Sequence, residues 1–230
     1  AVYCFAPGSM NKLWIGTENG INYYLYKGKQ LKTFTVTADG KKVKYVHSIH
    51  ELNDTTLWVS TVGEGIVKII LNKNGIAPTV KSATRIILDG GRLASNYFFT
   101  SFQENDSILW FGNRGYGAHR LNLETGKFIP YKFDNIVNSQ MANDIFAIYK
   151  NENGYWFATS SGLLHFNQEG SQHHNKVELL SKNTAHGMLE DQQNNIWIST
   201  NQGLVKFNPK THTGQTYDRK NGLEVTEFSD

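Results

Sequence analysis

The five tryptophans of this 230-residue chain recur at a nearly constant interval. Their positions are Trp14, Trp58, Trp110, Trp156 and Trp197, with separations of 44, 52, 46 and 41 residues. Each tryptophan lies between two apolar or aromatic residues, and a small residue followed by Thr or Asn comes next. An interval of this length, with the same local pattern at every copy, is typical of propeller blades.

A glycine follows each tryptophan by six or seven residues, at Gly20, Gly65, Gly117, Gly162 and Gly203. The tryptophan segment alternates like a strand, and the glycine supplies the positive φ of a tight turn, so each copy predicts a β-hairpin. The small residue leaves room for a neighbouring sheet to approach closely. With a strand before and a strand after each hairpin, the chain is predicted to be an all-β β-propeller of four-stranded antiparallel blades, with five repeats present.

The predicted blades cover residues 1–43, 44–94, 95–139, 140–182 and 183–220, and residues 221–230 are interpreted as the start of a next blade or a linker. The outer strands of blades 2 and 4 are predicted at 83–88 and 176–180. Helical apolar spacing is nearly absent. The tryptophans themselves are interpreted as packing between blades rather than as a ligand platform.

Charge and composition exclude several classes of function. The net charge is only +3, and the densest basic stretch, Lys41 to Lys44, is interpreted as a solvated hairpin edge, so no nucleic-acid partner is expected. The single cysteine, Cys4, is predicted to be buried in a strand. His47 and His50 are predicted to point to opposite faces of one strand, and His173 and His174 to lie in a polar turn. No metal and no cofactor are expected, and no catalytic motif is found.

Residues 11–21 read Asn-x-Leu-Trp-Ile-Gly-Thr-x-x-Gly followed by an apolar residue, and residues 194–208 repeat the pattern more fully. These blocks resemble the two-component regulator propeller repeat. The resemblance implies a ligand-sensing segment of a hybrid two-component receptor, on the periplasmic side of the inner membrane, that detects oligosaccharides for polysaccharide utilisation. It implies no enzyme activity in this segment, since the histidine kinase and the membrane attachment belong to other parts of such a receptor.

Propellers of that family have seven blades, so the five repeats here predict a partial propeller. Because an open run of blades leaves exposed sheet edges, a homodimer is expected. Two other functions stay open: a protein-interaction propeller, which would use the same loops, and a lyase-like propeller enzyme, for which His186 and Asp144 do not make a convincing set.

The candidate ligand site lies in the loops after the tryptophans and before each first strand. Asn113, Arg114 and Tyr116 combine an amide, a cation and an aromatic ring, which suits a sugar through stacking and hydrogen bonds. Four further residues are expected on the same side: Glu64, Tyr97, Asn143 and His186. In the alternative interpretation Asn113 shapes the turn and Arg114 lies over Tyr116.

Overall fold

The structure is a computed structural model that describes residues 1–72, 77–87, 95–134, 139–166, 174–176, 180, 183–225 and 227–228. The chain divides into two compact units. Unit 1 consists of residues 1–114 and 120–128, and unit 2 consists of residues 115–119 and 129–230. Each unit is described by itself below.

Unit 1 contains blades 1 and 2 and most of blade 3. Blade 1 comprises β1 (Val2–Gly8), β2 (Lys12–Thr17), β3 (Gly20–Leu25) and β4 (Gln30–Phe34), and it is followed by a small hairpin of β5 (Thr37–Ala38) and β6 (Lys41–Lys42). Blade 2 comprises β7 (Val46–Asn53), β8 (Thr56–Thr61), β9 (Ile66–Leu71) and β10 (Val80–Ile86). Blade 3 comprises β11 (Phe98–Asn105), β12 (Ile108–Asn113), β13 (Ala118–Asn122) and β14 (Phe128–Tyr131), of which β13 and β14 contribute residues to both units.

Beyond its share of β13 and β14, unit 2 contains a short helix, α1 (Ser139–Ala142). Blade 4 comprises β15 (Ile145–Asn151), β16 (Gly154–Thr159), β17 (Gly162–Phe166) and β18 (His174–Lys176). Blade 5 comprises β19 (Ala185–Glu190), β20 (Ile196–Thr200), β21 (Gly203–Asn208) and β22 (Thr213–Tyr217), and a 3₁₀ helix (Arg219–Asn221) follows. In all five sheets the strands lie in chain order, or its reverse, with antiparallel neighbours.

These sheets confirm the predicted all-β fold of four-stranded antiparallel blades. Lys41 and Lys42 are exposed on β6, which confirms the solvated hairpin edge. The outer strand of blade 4 was predicted too late in the chain, since β18 is His174–Lys176 and His174 is therefore in a strand rather than a turn. His173, residues 177–179 and Leu88 of those predictions lie outside the described residues.

Trp14, Trp58 and Trp156 pack against the blade that follows them, which agrees with the predicted packing between blades. In unit 1, Trp14 belongs to one apolar cluster with Val59 and Ile69 of blade 2, and the ring of Trp58 lies 5.8 Å from that of Phe111 in blade 3. In unit 2, the ring of Trp156 lies 5.6 Å from that of Phe207. Trp14, Trp58, Trp110 and Trp156 are buried, and Trp197 is half-buried.

Most of the indole N–H groups have acceptors near the end of a first strand. Trp110 donates to Glu104 Oε2 at 2.8 Å, Trp156 to Asn151 Oδ1 at 3.0 Å, and Trp197 to Asp191 Oδ2 at 2.9 Å. Trp14 donates instead to Glu51 of the next blade. A buried donor without an acceptor costs about 1–3 kcal/mol, so these pairs help to fix the orientation of the four indoles that form them. The buried Nε1 of Trp58 has no acceptor in the described part of the chain.

The small residue two positions after each tryptophan allows the blades to approach closely. A Cβ added at Gly16 would lie 2.4 Å from Cys4 Sγ and 2.5 Å from the carbonyl oxygen of Val46, the first residue of β7. The turn glycines also behave as predicted, since all five have positive φ, from 78° at Gly117 to 120° at Gly20. Repeated glycines and small residues thus determine both the hairpin and the spacing between blades.

Every first strand carries a β-bulge at the same place. In β7 the register passes from Val46 opposite Thr61 to Ser48 opposite Ser60, which leaves His47 as the extra residue. The same shift occurs in the other four first strands, and the extra residues are Tyr3, Phe99, Phe146 and His186. A bulge turns a side chain away from the two sheet faces. Each blade therefore has one aromatic or imidazole ring that points to neither of its faces.

Candidate functional site

The two predicted loop sets lie at the same end of each sheet. In blade 1, Val2 at the start of β1 pairs with Thr17 at the end of β2, so the start of the first strand and the turn after the tryptophan strand are neighbours. In blade 3, Phe98 pairs with Asn113 in the same way. We call this end of each sheet the turn edge, and all the predicted site residues lie at or beside it.

Asn113 is fully buried and holds the segment that leads into blade 3. Its Oδ1 accepts hydrogen bonds from the backbone N–H and the hydroxyl of Ser95 at 3.2 and 3.0 Å, and its Nδ2 donates to the Ser95 carbonyl at 2.7 Å. In blades 1, 2, 4 and 5 the equivalent threonine hydroxyl donates to the carbonyl of the turn glycine. Asn113 therefore shapes the turn, as the alternative interpretation holds, and direct contact with a ligand stays a prediction.

Arg114 is exposed, and its guanidinium lies over the ring of Tyr97, 6.0 Å from the centroid. The backbone N–H of Arg114 also donates to the Tyr97 carbonyl at 3.0 Å. The ring beneath the cation is thus Tyr97 rather than the expected Tyr116, over which Lys132 lies at 5.2 Å. Two of the predicted residues, Arg114 and Tyr97, are brought together in unit 1.

Glu64 is engaged by the outer strand of its own blade. Its Oε2 accepts from Arg85 Nη1 at 2.8 Å and from the backbone N–H of Lys44 at 3.3 Å. The Arg85 side chain is 8% exposed and that of Glu64 is 26% exposed. This partly buried ion pair fixes the turn of blade 2, and the sequence offered no signal for it.

The two candidates near the first strands of unit 2 differ in exposure. Asn143 is buried, where its Oδ1 accepts from the backbone N–H of Phe133 at 2.8 Å and its Nδ2 donates to Asp134 at 3.1 Å. His186 is half-buried, with its Nε2 2.6 Å from Asn201 Oδ1 and its ring 5.3 Å from that of Phe146. His186 is the extra residue of the β19 bulge.

The remaining bulged residues were missed in the site prediction. In unit 1 the ring of Tyr3 stacks on that of His47 at 4.1 Å, and the ring of His47 meets that of Phe99 edge-on at 5.8 Å. A sequence signal for them existed, because Tyr3, His47, Phe99 and His186 each stand eleven residues before a tryptophan and Phe146 stands ten before. We call Tyr3, His47 and Phe99 the inner aromatic row.

Burial shifts the pKa of three groups near the first strands and their hairpins. It raises the pKa of the Cys4 thiol to about 11, so the thiolate is not available at neutral pH. It lowers the pKa of His50, whose Nε2 lies 2.9 Å from Gln103 Oε1. It also lowers the pKa of His165, whose ring stacks on Trp156 and whose Nε2 lies 2.7 Å from the Asn153 carbonyl oxygen.

Mild acid is expected to destabilise the protein through His50 and His165. Both have a folded-state pKa below the ordinary value near 6.5, so below that pH the unfolded chain takes up protons that the folded chain does not. Their contribution is thus intact above about pH 6.5 and is lost as the pH falls below it. Urea unfolding should give a lower free energy at about pH 5.5 than at about pH 7.5, with a smaller difference in His165→Gln. The same pH dependence in both proteins would contradict this assignment.

The family model described as two component regulator propeller matches residues 179–202. A curated relative, histidine kinase P4 of Formosa agariphila, is 29% identical over 233 residues, which cover 95% of this chain and 16% of that protein. The chain therefore spans about a sixth of the length of this relative.

Solved structures with the same fold include two extracellular domains from B. thetaiotaomicron. That of BT3049, assigned as a hybrid two component system, has a TM-score of 0.75 at 20% identity over 98% of this chain and 30% of that one. That of BT4673, with the same assignment, has a TM-score of 0.74 at 19% identity over 96% and 30%. Among the residues described here, no helix has the length and apolar character needed to cross a bilayer. The stretch matched by the two component regulator propeller model includes Trp197, and the same tryptophan pattern recurs at Trp14, Trp58, Trp110 and Trp156.

Proposed function

We propose that this chain is the ligand-sensing part of the extracytoplasmic region of a hybrid two-component receptor, on the periplasmic side of the inner membrane. The kinase would lie elsewhere in the protein, as the 16% coverage of histidine kinase P4 suggests. Such a segment binds its ligand and carries out no chemistry on it. Support comes from the regulator propeller match and from the extracellular domains that share the fold.

The proposed ligand is an oligosaccharide. The observation that carries this choice is the pair of Arg114 and Tyr97, both exposed at the turn edge of blade 3, with the guanidinium over the ring. Sugars present C–H faces that pack on aromatic rings and hydroxyl groups that accept hydrogen bonds from guanidinium N–H groups. The same edge combines both properties.

Two experiments test the proposal. The gene on both sides of this segment should encode further propeller repeats, a membrane span and a histidine kinase, and a gene that encodes none of them would rule out the receptor. Titration calorimetry with purified oligosaccharides should give saturable binding to the whole extracytoplasmic region. Absence of binding across neutral, uronate and sulfated sugars would rule out the ligand class.

A peptide or partner domain is the second candidate ligand. A solved structure with the same fold, described as YCF48 bound to D1 peptide, has a TM-score of 0.61 at 13% identity over 93% of this chain and 65% of that one. Exposed tyrosine and arginine are also the residue types enriched where proteins bind one another. Calorimetric binding of a peptide in place of every sugar would favour this function.

A further inference from the structure

The bulge in β7 directs His47 away from both faces of blade 2. The residues after it alternate: Glu51 contacts Trp14 of blade 1, whereas Ser48 and His50 contact Ser101 and Gln103 of blade 3. His47 instead contacts rings on both sides, those of Tyr3 in blade 1 and Phe99 in blade 3. The first strands β1, β7 and β11 pack side by side, so His47 lies at the inner edge of the sheets, between its two neighbours.

The inner aromatic row is partly accessible. Val46 and Phe98, which precede His47 and Phe99, are fully buried, whereas Tyr3, His47 and Phe99 are half-buried. The row therefore presents ring edges and polar atoms near the turn edge of unit 1.

Two exposed tyrosines stand two residues before two members of the row. Tyr45, before His47, is 42% exposed, and Tyr97, before Phe99, is 40% exposed. Tyr45 also has a φ of 50°, a left-handed conformation that is rare and unfavourable for a bulky residue. Its backbone is held there by hydrogen bonds with Glu18 and Val62. Strain of this kind is retained most often at functional positions.

The chemistry of this surface is aromatic, polar and cationic. Arg114 adds a guanidinium above Tyr97, and no carboxylate pairs with it in the described part of the chain. Tyrosine hydroxyls, the imidazole and the guanidinium can donate hydrogen bonds, and the rings offer faces and edges for C–H groups. This combination matches a chain of pyranose rings, which alternates C–H patches with hydroxyl groups.

We infer that the inner aromatic row of unit 1, together with Tyr45, Tyr97 and Arg114, is the oligosaccharide-binding surface of this protein, an inference that rests on the proposed function. Sugar rings stack on the exposed Tyr45 and Tyr97, and their hydroxyls reach Arg114 and His47. Specificity then depends on the bulged residues as well as on the loops after the tryptophans.

The test compares Tyr45→Ala and Tyr97→Ala with Tyr26→Ala by titration calorimetry on the whole extracytoplasmic region. Tyr26 is a matched control, since it is 56% exposed and follows the end of β3, where Leu25 pairs with Lys12 at the start of β2, opposite the turn edge. The probes are tetrasaccharides of neutral, uronate and sulfated sugars. Each of the first two variants should bind the best probe at least about tenfold more weakly, whereas Tyr26→Ala should bind it like the wild type. All three should keep the wild-type melting temperature to within a few degrees.

Two results would overturn the inference, and they lead to different conclusions about the proposed function. If the wild type binds a probe and both turn-edge variants bind it equally well, the surface is wrong while sugar sensing stands. If the wild type binds none of the probes, the proposed ligand class fails, and this surface fails with it. His47→Ala gives a further readout, because a binding role predicts weaker affinity even where circular dichroism and melting are unchanged.

Discussion

Replacement of Trp156 by alanine is expected to lower the free energy of unfolding by about 3–5 kcal/mol. The side chain is fully buried in the apolar cluster of unit 2, with Ile198, Val205 and Phe207 of the following blade. Its removal leaves a cavity and deprives Asn151 of the indole donor. Trp197 occupies the same place in its own repeat, but it is only half-buried. Trp197→Ala should therefore cost less, about 1–2 kcal/mol.

Urea unfolding followed by circular dichroism measures both variants without relying on tryptophan fluorescence. The comparison is informative because both tryptophans have an acceptor for the indole N–H and a stacked ring, His165 beside Trp156 and Tyr217 beside Trp197. The two tryptophans differ in how far the side chain is buried against a following blade. Equal losses at the two positions would mean that packing between blades contributes little to stability.

The fold was predictable because the same residue pattern, with the same physical role, occurs five times in the sequence. The tryptophan, the small residue and the turn glycine each have a geometric reason that holds in every blade, as at Gly16, where the carbonyl of Val46 approaches closely. The structure differs from the prediction where the sequence repeat is weakest. The hairpin of β5 and β6 has no counterpart among the described residues of the other repeats, although Ala38 in it is fully buried in the core of unit 1. The outer strand β18 had no pattern strong enough to fix its limits.

The candidate site was predicted less well, because loop position does not determine what a side chain contacts. Asn113 and Glu64 were chosen for polarity in a variable turn, yet the turn itself uses them, through Ser95 and Arg85. Tyr97 and Arg114 lie at the turn edge, and their mutual contact was not foreseen. A bulge adds one residue to the first strand. Side chains then no longer alternate strictly between the two sheet faces, and their directions cannot be predicted from that alternation. Only the constant spacing to the tryptophan could have revealed Tyr3 and His47 in the sequence.

The turn edge thus combines rigid and strained parts. In four blades the hairpin turn is fixed by a threonine hydroxyl that donates to the carbonyl of the turn glycine. In blade 3 the amide of Asn113 instead holds Ser95, which leads into the first strand. Residues supported in this way keep their orientation when a ligand binds, and so they limit the entropy lost on binding. The stability of the turns is therefore a condition for any function at that edge.

Replacement of Gly203 by alanine is expected to destabilise the protein by about 3–5 kcal/mol, from backbone strain and overpacking together. Its φ is 116°, and an added Cβ would lie 2.1 Å from the carbonyl oxygen of Tyr217 on the neighbouring strand. A backbone atom cannot move aside as a flexible side chain can, so β21 and β22 must separate. The hydrogen bond from Thr200 Oγ1 to the Gly203 carbonyl, 2.9 Å long, would be disturbed as well.

Gly222→Ala is the matched control for this prediction. Gly222 also belongs to unit 2 and has a φ of 90°, but no atom lies within 4 Å of the position that its Cβ would take. The Gly222→Ala variant therefore measures the cost of backbone strain alone, about 1–2 kcal/mol, without a steric clash. Urea unfolding of both variants should separate the two contributions, with Gly203→Ala the more damaging by at least about 1 kcal/mol. Equal losses would show that the turn of blade 5 relaxes around a methyl group, and that its glycine is required for its φ alone.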